Sequence, residues 1–459
     1  MFARLIHLAR CVVQPELPGR KEAIARAWEA LPAELRTPDQ VAGRTLAGCA
    51  ATHQIMERCN FSCTACYLAN TANATPPLPF EEVLEQLRAI RAHLGPWGNV
   101  QLTAGEVTLL PVEELARIVS ACQELELSAM LMTHGETFRD DPSYLPKLME
   151  AGLEKVAVHV DTTQRGRRGQ RKGDREADLH WIRDEIAARL QEARRRTGRP
   201  LAAAHTMTVC EENLDEVPDV LRWVARNADT FRMISFQPAA AVGRTRSSTL
   251  AGRERMRARL WDRIERGLGK RLNPRQFIFG HPRCTQVALA FAVRFGERVE
   301  IVEVVRERPF DQRFFRHLMH GPFAGFSPDG MKLDEATARL IGRLLRDPSY
   351  FVHVPAFAGW RAWTERSWFA DFVHAVLRGE PWFVRPLVVV VHHFMSSDEL
   401  ETPEGRERVA SCVFRLPVEG RMVSMCELNG SPLRAQLNQR TAARLRGRRP
   451  QAVSPSASS

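Results

Sequence analysis

Between residues 52 and 236, segments patterned as strands alternate with segments patterned as helices, and this alternation constrains the fold more than any other feature of the chain. Thr52–Glu57, Val100–Thr103, Ala129–Thr133, Val156–Val160, Ala202–Val209 and Phe231–Phe236 read as strands. Phe80–Leu94, Val112–Leu125, Pro142–Ala151, Ala177–Thr197 and Leu214–Asn227 read as the helices between them. Parallel neighbours need a crossover connection, so the order predicts βαβ units. Right-handed crossovers curl such units into an open barrel. The expected fold is α/β, a partial (β/α)6 TIM-like barrel, with functional residues in the loops after the strands.

The rest of the chain is read around that barrel. Residues 1–48 are expected to be a polar helical segment, clearest at Lys21–Leu35, and residues 49–246 the barrel itself. After residue 246 the alternation stops. Arg253–Arg266 reads as a basic helix and Phe277–Ala292 mixes strand signals with a cysteine. Residues 333–378 read as mostly helical, with Trp360, Trp363 and Trp368 supplying bulk, and strand patterns return at Leu387–His393 and Ser411–Leu416. Residues 247–435 are therefore expected to form a C-terminal α+β auxiliary domain. Residues 436–459 are expected to be a basic, Ser/Pro-rich disordered tail. No apolar run approaches the roughly 20 residues of a membrane span, and the start Met-Phe-Ala-Arg-Leu-Ile-His has no signal-peptide core, so the expected location is the cytoplasm.

Ten cysteines in a reducing compartment do not suggest a disulfide framework, and their uneven spacing suggests a metal site instead. The central motif is Cys59-Asn-Phe-Ser-Cys63-Thr-Ala-Cys66-Tyr67, directly after the first strand. So short a loop can wrap three thiolates around one corner of a cubane. A [4Fe–4S] cluster has four irons and takes thiolate ligands, so three cysteines leave one iron open for a non-protein ligand. From the residues alone, the alternatives are a zinc site completed by a residue such as His53, or unligated thiols at a strand end.

Cys-x3-Cys-x2-Cys followed by an aromatic, in the loop after the first strand, resembles the radical S-adenosylmethionine (SAM) superfamily, and later motifs extend the resemblance. Leu102-Thr103-Ala104-Gly105-Glu106 is similar to the superfamily's Gly-Gly-Glu motif, with Ala104 in place of the first glycine. Thr133-His134-Gly135 stands where Thr-Asn-Gly is common, and Thr208-Val-Cys-Glu-Glu-Asn213 resembles a segment ending in an Asn near SAM. The resemblance implies a [4Fe–4S] cluster on Cys59, Cys63 and Cys66, and SAM chelating the open iron. It places Tyr67, Gly105, Glu106, Thr133 and Asn213 around SAM. It also implies reductive cleavage of SAM to methionine and a 5′-deoxyadenosyl radical that takes hydrogen from substrate, with electrons from a reductase such as flavodoxin or ferredoxin.

Three more cysteines lie downstream, in Gly280-His-Pro-Arg-Cys284, Ser411-Cys412 and Met425-Cys426-Glu-Leu-Asn429. A tight turn at Gly420 is expected to pair two strands and bring Cys412 and Cys426 together. With His392-His393-Phe-Met and Phe236-Gln237-Pro238, this stretch resembles the subgroup containing tetraether lipid synthase and the archaeal dihydropterin methyltransferase-type enzyme. That resemblance implies a second, auxiliary [4Fe–4S] cluster on Cys284, Cys412 and Cys426, its fourth ligand left among Cys210, a histidine and substrate. The chain departs from the subgroup at Arg415, where His is frequent, in lacking cysteine pairs in residues 1–48, and in the insertion before Cys412. The alternative reading takes the three as buried small hydrophobes. Cys11, Cys49 and Cys122 are read as structural.

The formal charge of +11 allows nucleic acid, an anionic membrane surface or an acidic substrate as partner. Basic residues are not interleaved with exposed aromatics on one element, which disfavours nucleic acid. Asp161 follows the fourth strand, and the Gly-spaced arginines of Arg165–Arg175 come next. Asp161 is expected to touch SAM or substrate or to cap the loop; the basic stretch reads either as a flexible insertion with no site role or as a loop whose Arg167 and Arg168 grip an anionic, lipid-like or small-molecule substrate. The expected reaction is abstraction at an unactivated C–H position, leading to C–C bond formation or alkylation. The competing readings are a peptide-modifying radical SAM enzyme, and a nucleic-acid-binding protein with a structural metal.

Overall fold

The computed structural model describes residues 2–245, 250–275, 277–327 and 329–447. Helices α1 (Phe2–Val13) and α2 (Arg20–Glu29) precede a series of strands and helices: β1 (Cys49–Ala51), α3 (Phe80–Leu94), β2 (Gly98–Leu102), α4 (Val112–Glu124), β3 (Leu127–Thr133), α5 (Glu136–Asp140), α6 (Tyr144–Glu150), β4 (Lys155–His159), α7 (His180–Thr197), β5 (Ala202–Val209), α8 (Val217–Arg226) and β6 (Phe231–Pro238). There follow α9 (Leu250–Leu268), β7 (Thr285–Phe295), β8 (Arg298–Glu303), α10 (Pro309–His320), α11 (Leu333–Leu345), α12 (Tyr350–Thr364), α13 (Arg366–Leu377) and β9 (Trp382–His392). The described residues end in α14 (Pro403–Ala410), β10 (Phe414–Val418), β11 (Arg421–Ser424), α15 (Met425–Gly430) and α16 (Leu433–Gly447). No helix among the described residues is long and apolar enough to cross a membrane.

All strands join one sheet in the order β11-β10-β1-β2-β3-β4-β5-β6-β9-β7-β8. β1 to β6 run parallel to one another, as the alternation demands. The sheet is open: a partial barrel whose main core is made by Val100, Leu102, Leu131, Val156, Met207 and Ile234 with Leu87, Leu115, Ile186 and Leu221 from the covering helices.

Three expectations need correction. The first strand is Cys49–Ala51, not Thr52–Glu57. The chain leaves the ladder at Thr52, whose hydroxyl bonds the carbonyls of Gln101 and Thr103, and Gln54 then turns with a positive φ. Among the described residues, the part after residue 246 builds no sheet of its own: β10 pairs parallel with β1 and β9 parallel with β6, adding a parallel strand at each side of the six. The 246/247 boundary itself lies outside the described residues. Finally, residues 436–447 are not a loose tail but the body of α16, buried at Leu437, Asn438, Thr441 and Ala442. The rest of the expected tail, 448–459, lies outside the described residues.

A buried ion pair sets the loops after β4 and β5. The Arg183 guanidinium on α7 bonds Glu176 and the Val160 carbonyl (3.0 Å), and both side chains are fully buried. Glu176 in turn accepts from Thr162 N–H (2.9 Å) and Asn213 Nδ2 (3.1 Å). Removing one partner leaves the other charge buried and uncompensated. Arg183→Ala should therefore cost about 3–5 kcal/mol in urea denaturation, and a loss below about 1 kcal/mol would show that the pair does not hold these loops.

Candidate iron–sulfur and SAM site

The loop carrying Cys59, Cys63 and Cys66 is fastened to the C-terminal ends of four other strands. After β2, the N–H groups of Gly105 and Glu106 donate to the carbonyls of Met56 and Arg58, each at 2.8 Å. This approach is so close that a Cβ on Gly105 would stand 2.2 Å from the Arg58 oxygen and 2.3 Å from that of Glu57. After β3, the His134 ring stacks on Phe61 at 3.9 Å and its Nε2 donates to Asn60 Oδ1 (2.8 Å). Its Nδ1 accepts from Glu136 N–H, which fixes the neutral tautomer. After β4, Ser62 and Thr64 N–H donate to the carbonyls of Arg165 and Thr163 (3.0 and 2.8 Å). After β6, the Thr245 hydroxyl accepts from Cys66 N–H (2.8 Å) and Arg244 N–H donates to the Cys66 carbonyl (2.8 Å). Asn73 brackets the Cys59 peptide from within the loop.

A fifth support comes from α16. Arg434 Nη1 reaches the buried Glu57 carboxylate (2.7 Å), and its guanidinium lies 5.1 Å from the Tyr67 ring centroid. Asn438 Nδ2 also donates to Glu57 (3.3 Å). Tyr67 donates its hydroxyl to the Ala104 carbonyl (2.7 Å).

The residues expected around SAM turn out to stiffen this mouth. Glu106 is 2% exposed, and its oxygens accept from the Thr108 hydroxyl (2.6 Å), the Thr133 hydroxyl (2.7 Å) and His134 N–H (2.8 Å). Thr133 also accepts from Gly135 N–H (2.9 Å). Asn213 is buried, accepting from Cys210 N–H and donating to the Thr208 carbonyl. Asp161 is buried, accepting from the Thr163 hydroxyl, Thr208 N–H and His159 Nε2. Burial alone would raise its pKa, but the His159 imidazole and these donors outweigh it and hold the carboxyl well below the usual range.

For Arg167 the expected anion grip does not hold, because its guanidinium is buried and paired. Arg167 is buried, with Nη1 on Glu136 (3.0 Å), Nη2 on the His159 carbonyl (2.8 Å) and Gln164 (2.6 Å), and its guanidinium 5.1 Å from the Phe61 ring centroid. Burial lowers its pKa to about 10. Arg168 is turned outward onto Asp140 (2.6 Å), and Arg175 faces Glu216. Of the three, Arg167 braces the loop against Phe61 of the cysteine segment.

The three sulfurs suit a cubane better than a single ion. Burial raises all three thiols, Cys59 to about 11, with Cys63 and Cys66 also elevated. His53, the zinc alternative's fourth ligand, donates Nε2 to the Pro417 carbonyl (2.8 Å) instead.

Residues 54–224 match the radical SAM superfamily. The chain carries a radical SAM domain. Members of that superfamily use a [4Fe–4S] cluster and SAM, and the donor set just described fits the cluster. The radical SAM chain is 26% identical over 202 residues to the 7,8-dihydro-6-hydroxymethylpterin dimethyltransferase of Methanocaldococcus jannaschii, covering 44% of this chain and 38% of that one. It is 29% identical over 185 residues to the sporulation killing factor maturation protein SkfB of Bacillus subtilis (39% and 40% covered). It is 27% identical over 210 residues to the GTP 3′,8-cyclase of Chlorobaculum tepidum (45% and 59% covered). The chain thus spans about two-fifths of the first two relatives and 59% of the third.

The second cysteine set also converges. The β10–β11 hairpin turns at Glu419–Gly420 and registers Arg415 against Ser424, which brings Cys412 and Cys426 to one end. The strand lead-in at Gly280 packs on the Ser411 carbonyl, bringing Cys284 alongside. Cys426 Sγ accepts from Met395 N–H (3.4 Å), just past β9, so the set spans the gap between the two sides of the open barrel. The buried Arg408 Nε lies 3.3 Å from Cys284 Sγ. Burial raises Cys412 to about 11 and elevates Cys426. Cys210 sits elsewhere, at the end of β5 with Asp161, Glu212 and Glu176 as charged neighbours.

His134, Arg434 and Arg408 are the residues that sequence patterning missed. The only available signals were His134 in an Asn position and Arg434 shortly after Asn429, which accepts from its Nε (2.8 Å). Because the Gly105 contact is backbone on backbone, Gly105→Ala should fold yet lose about four irons per chain after reconstitution. Full iron content in that variant would show that the contact does not seat the loop.

Proposed function

We propose that this protein is a radical SAM enzyme acting at an unactivated C–H position of a lipid-like or anionic substrate, by C–C bond formation or alkylation. The observation that carries the reading is the three-cysteine loop bound at once to the ends of β2, β3, β4 and β6. A cluster held by Cys59, Cys63 and Cys66, with SAM on its open iron, supplies reductive cleavage of SAM and a hydrogen-abstracting 5′-deoxyadenosyl radical. The chain's own part is to fix the loop and keep charge out of it: His134 neutral, Arg167 and Arg434 paired with Glu136 and Glu57. Gly105 and Tyr67 frame the SAM side of the loop, while Glu106, Thr133, Asn213 and Asp161 hold its walls. Cys284, Cys412 and Cys426 bind an auxiliary [4Fe–4S] cluster, with the Arg408 cation against one sulfur. Electrons come from a donor such as flavodoxin or ferredoxin in the cytoplasm.

Two features support the substrate class. A cleft of about 840 Å³ beside Cys284 is lined by Arg257, Arg275, Arg283 and Arg316, with Arg316 paired to Asp39, Arg283 paired to Glu404 and His393 held neutral by burial, an arginine-rich wall suited to phosphate or carboxylate. On α12 and α13, the apolar side chains Phe351, Val352, Trp363, Phe369 and Leu377 are exposed, a composition suited to the edge of a bilayer. These residues replace Arg167 and Arg168 as the substrate-facing elements.

Anaerobic reconstitution should give about eight irons per chain, and about four in Cys412→Ala. Reductant plus SAM should yield 5′-deoxyadenosine from wild type and none from Cys63→Ala. Tightly bound zinc with no deoxyadenosine would overturn the reading. The protein should also sediment with vesicles containing anionic phospholipid, and the Phe351→Glu/Trp363→Glu variant should remain in the supernatant. Equal sedimentation of both would remove the bilayer from the account.

A further inference from the structure

Helices α1 and α11 pack against each other, and their contact gathers three metal-type donors that no part of the radical chemistry uses. His7 and Cys11 are four residues apart on α1 and so share one helix face. Glu335, in the first turn of α11, meets them there. His7 Nε2 is 3.6 Å from Cys11 Sγ and 3.3 Å from Glu335 Oε2, and all three donor atoms lie within 4.8 Å of one another. A zinc ion with bonds of about 2.0 Å to nitrogen and oxygen and about 2.3 Å to sulfur sets tetrahedral N–S and N–O edges near 3.5 and 3.3 Å. The side chains already stand at those separations.

The surroundings orient the group. The other Glu335 oxygen is held by Arg339 Nε and Nη2 (3.1 and 3.0 Å), which leaves Oε2 for the His–Cys pair. Arg339 also donates to the carbonyls of Gln14 and Glu16, just past α1. Cys11 is 2% exposed, while the His7 side chain is 44% exposed, so a water has access to the fourth position. A mixed thiolate, imidazole and carboxylate set selects zinc over magnesium or calcium.

We propose that His7, Cys11 and Glu335 bind one zinc ion, completed by water. Binding displaces the Cys11 thiol proton to solvent and leaves His7 neutral. The ion clamps α1 to α11 and thereby ties the N-terminal segment to the helices that carry the exposed aromatic face.

The test uses the reconstituted protein, given one equivalent of zinc chloride and desalted, with metals counted by mass spectrometry and the zinc examined by X-ray absorption. We expect about one zinc per chain, with one sulfur at about 2.3 Å and the remaining ligands nitrogen or oxygen. Zinc should fall about tenfold or more in Cys11→Ser and in His7→Gln with iron unchanged. The exposed His7 position keeps the test valid if Cys11→Ser fails to fold. No zinc retained by wild type, equal zinc in His7→Gln, or a shell of two or more sulfurs would each overturn the assignment, the last by placing zinc in a three-cysteine set.

Discussion

The contact between the backbone of Ala104–Glu106 and that of Met56–Arg58 governs the rest of the site. A β-strand end and an irregular loop can approach this closely only where one carries no side chain, and Gly105 supplies that position. The two N–H···O bonds made there satisfy buried backbone groups that an irregular segment would otherwise leave open. Once the loop is seated, the ends of β3, β4 and β6 each add their own bond to it. The thiols then stand at the C-terminal mouth, where a parallel barrel places its chemistry.

The electrostatics follow the same logic. A chain of +11 net charge places several of its arginines inside, each matched to a carboxylate: Arg167 to Glu136, Arg183 to Glu176, Arg434 to Glu57. Buried pairs of this kind are weak evidence for stability but strong determinants of register, since either partner alone would be costly. Here they fix loops at the strand ends. Arg408 differs in facing a cysteine sulfur as well as Glu399, and it lies where the two sides of the open barrel meet.

The barrel was legible in the sequence because its strands and helices are local and periodic: Phe80–Leu94 and Ala202–Val209 fall as patterned. The cysteine loop was legible because three soft ligands at that spacing have few uses. The role of Arg167 was not. An arginine in a Gly-rich stretch has the same pattern whether it points to solvent or into Glu136, and only the fold of α5 decides. The same holds for β9 and β10. Their strand character is local, but their pairing with β6 and β1 spans well over a hundred residues and leaves no periodic trace. Residues 436–447 were read as a tail from their arginines, although Leu437, Asn438 and Thr441 lie on one helical face against Gln54 and Glu57.

The central claim is that Cys59, Cys63 and Cys66 hold a cluster whose open iron takes SAM. Low-temperature electron paramagnetic resonance of the anaerobically reduced protein, recorded with and without SAM, tests it most directly. The account predicts a reduced-cluster signal that changes on adding SAM, in wild type and in Cys412→Ala alike, and that is missing from Cys63→Ala. A signal in Cys412→Ala that is indifferent to SAM, or a SAM-responsive signal that survives in Cys63→Ala, would contradict it.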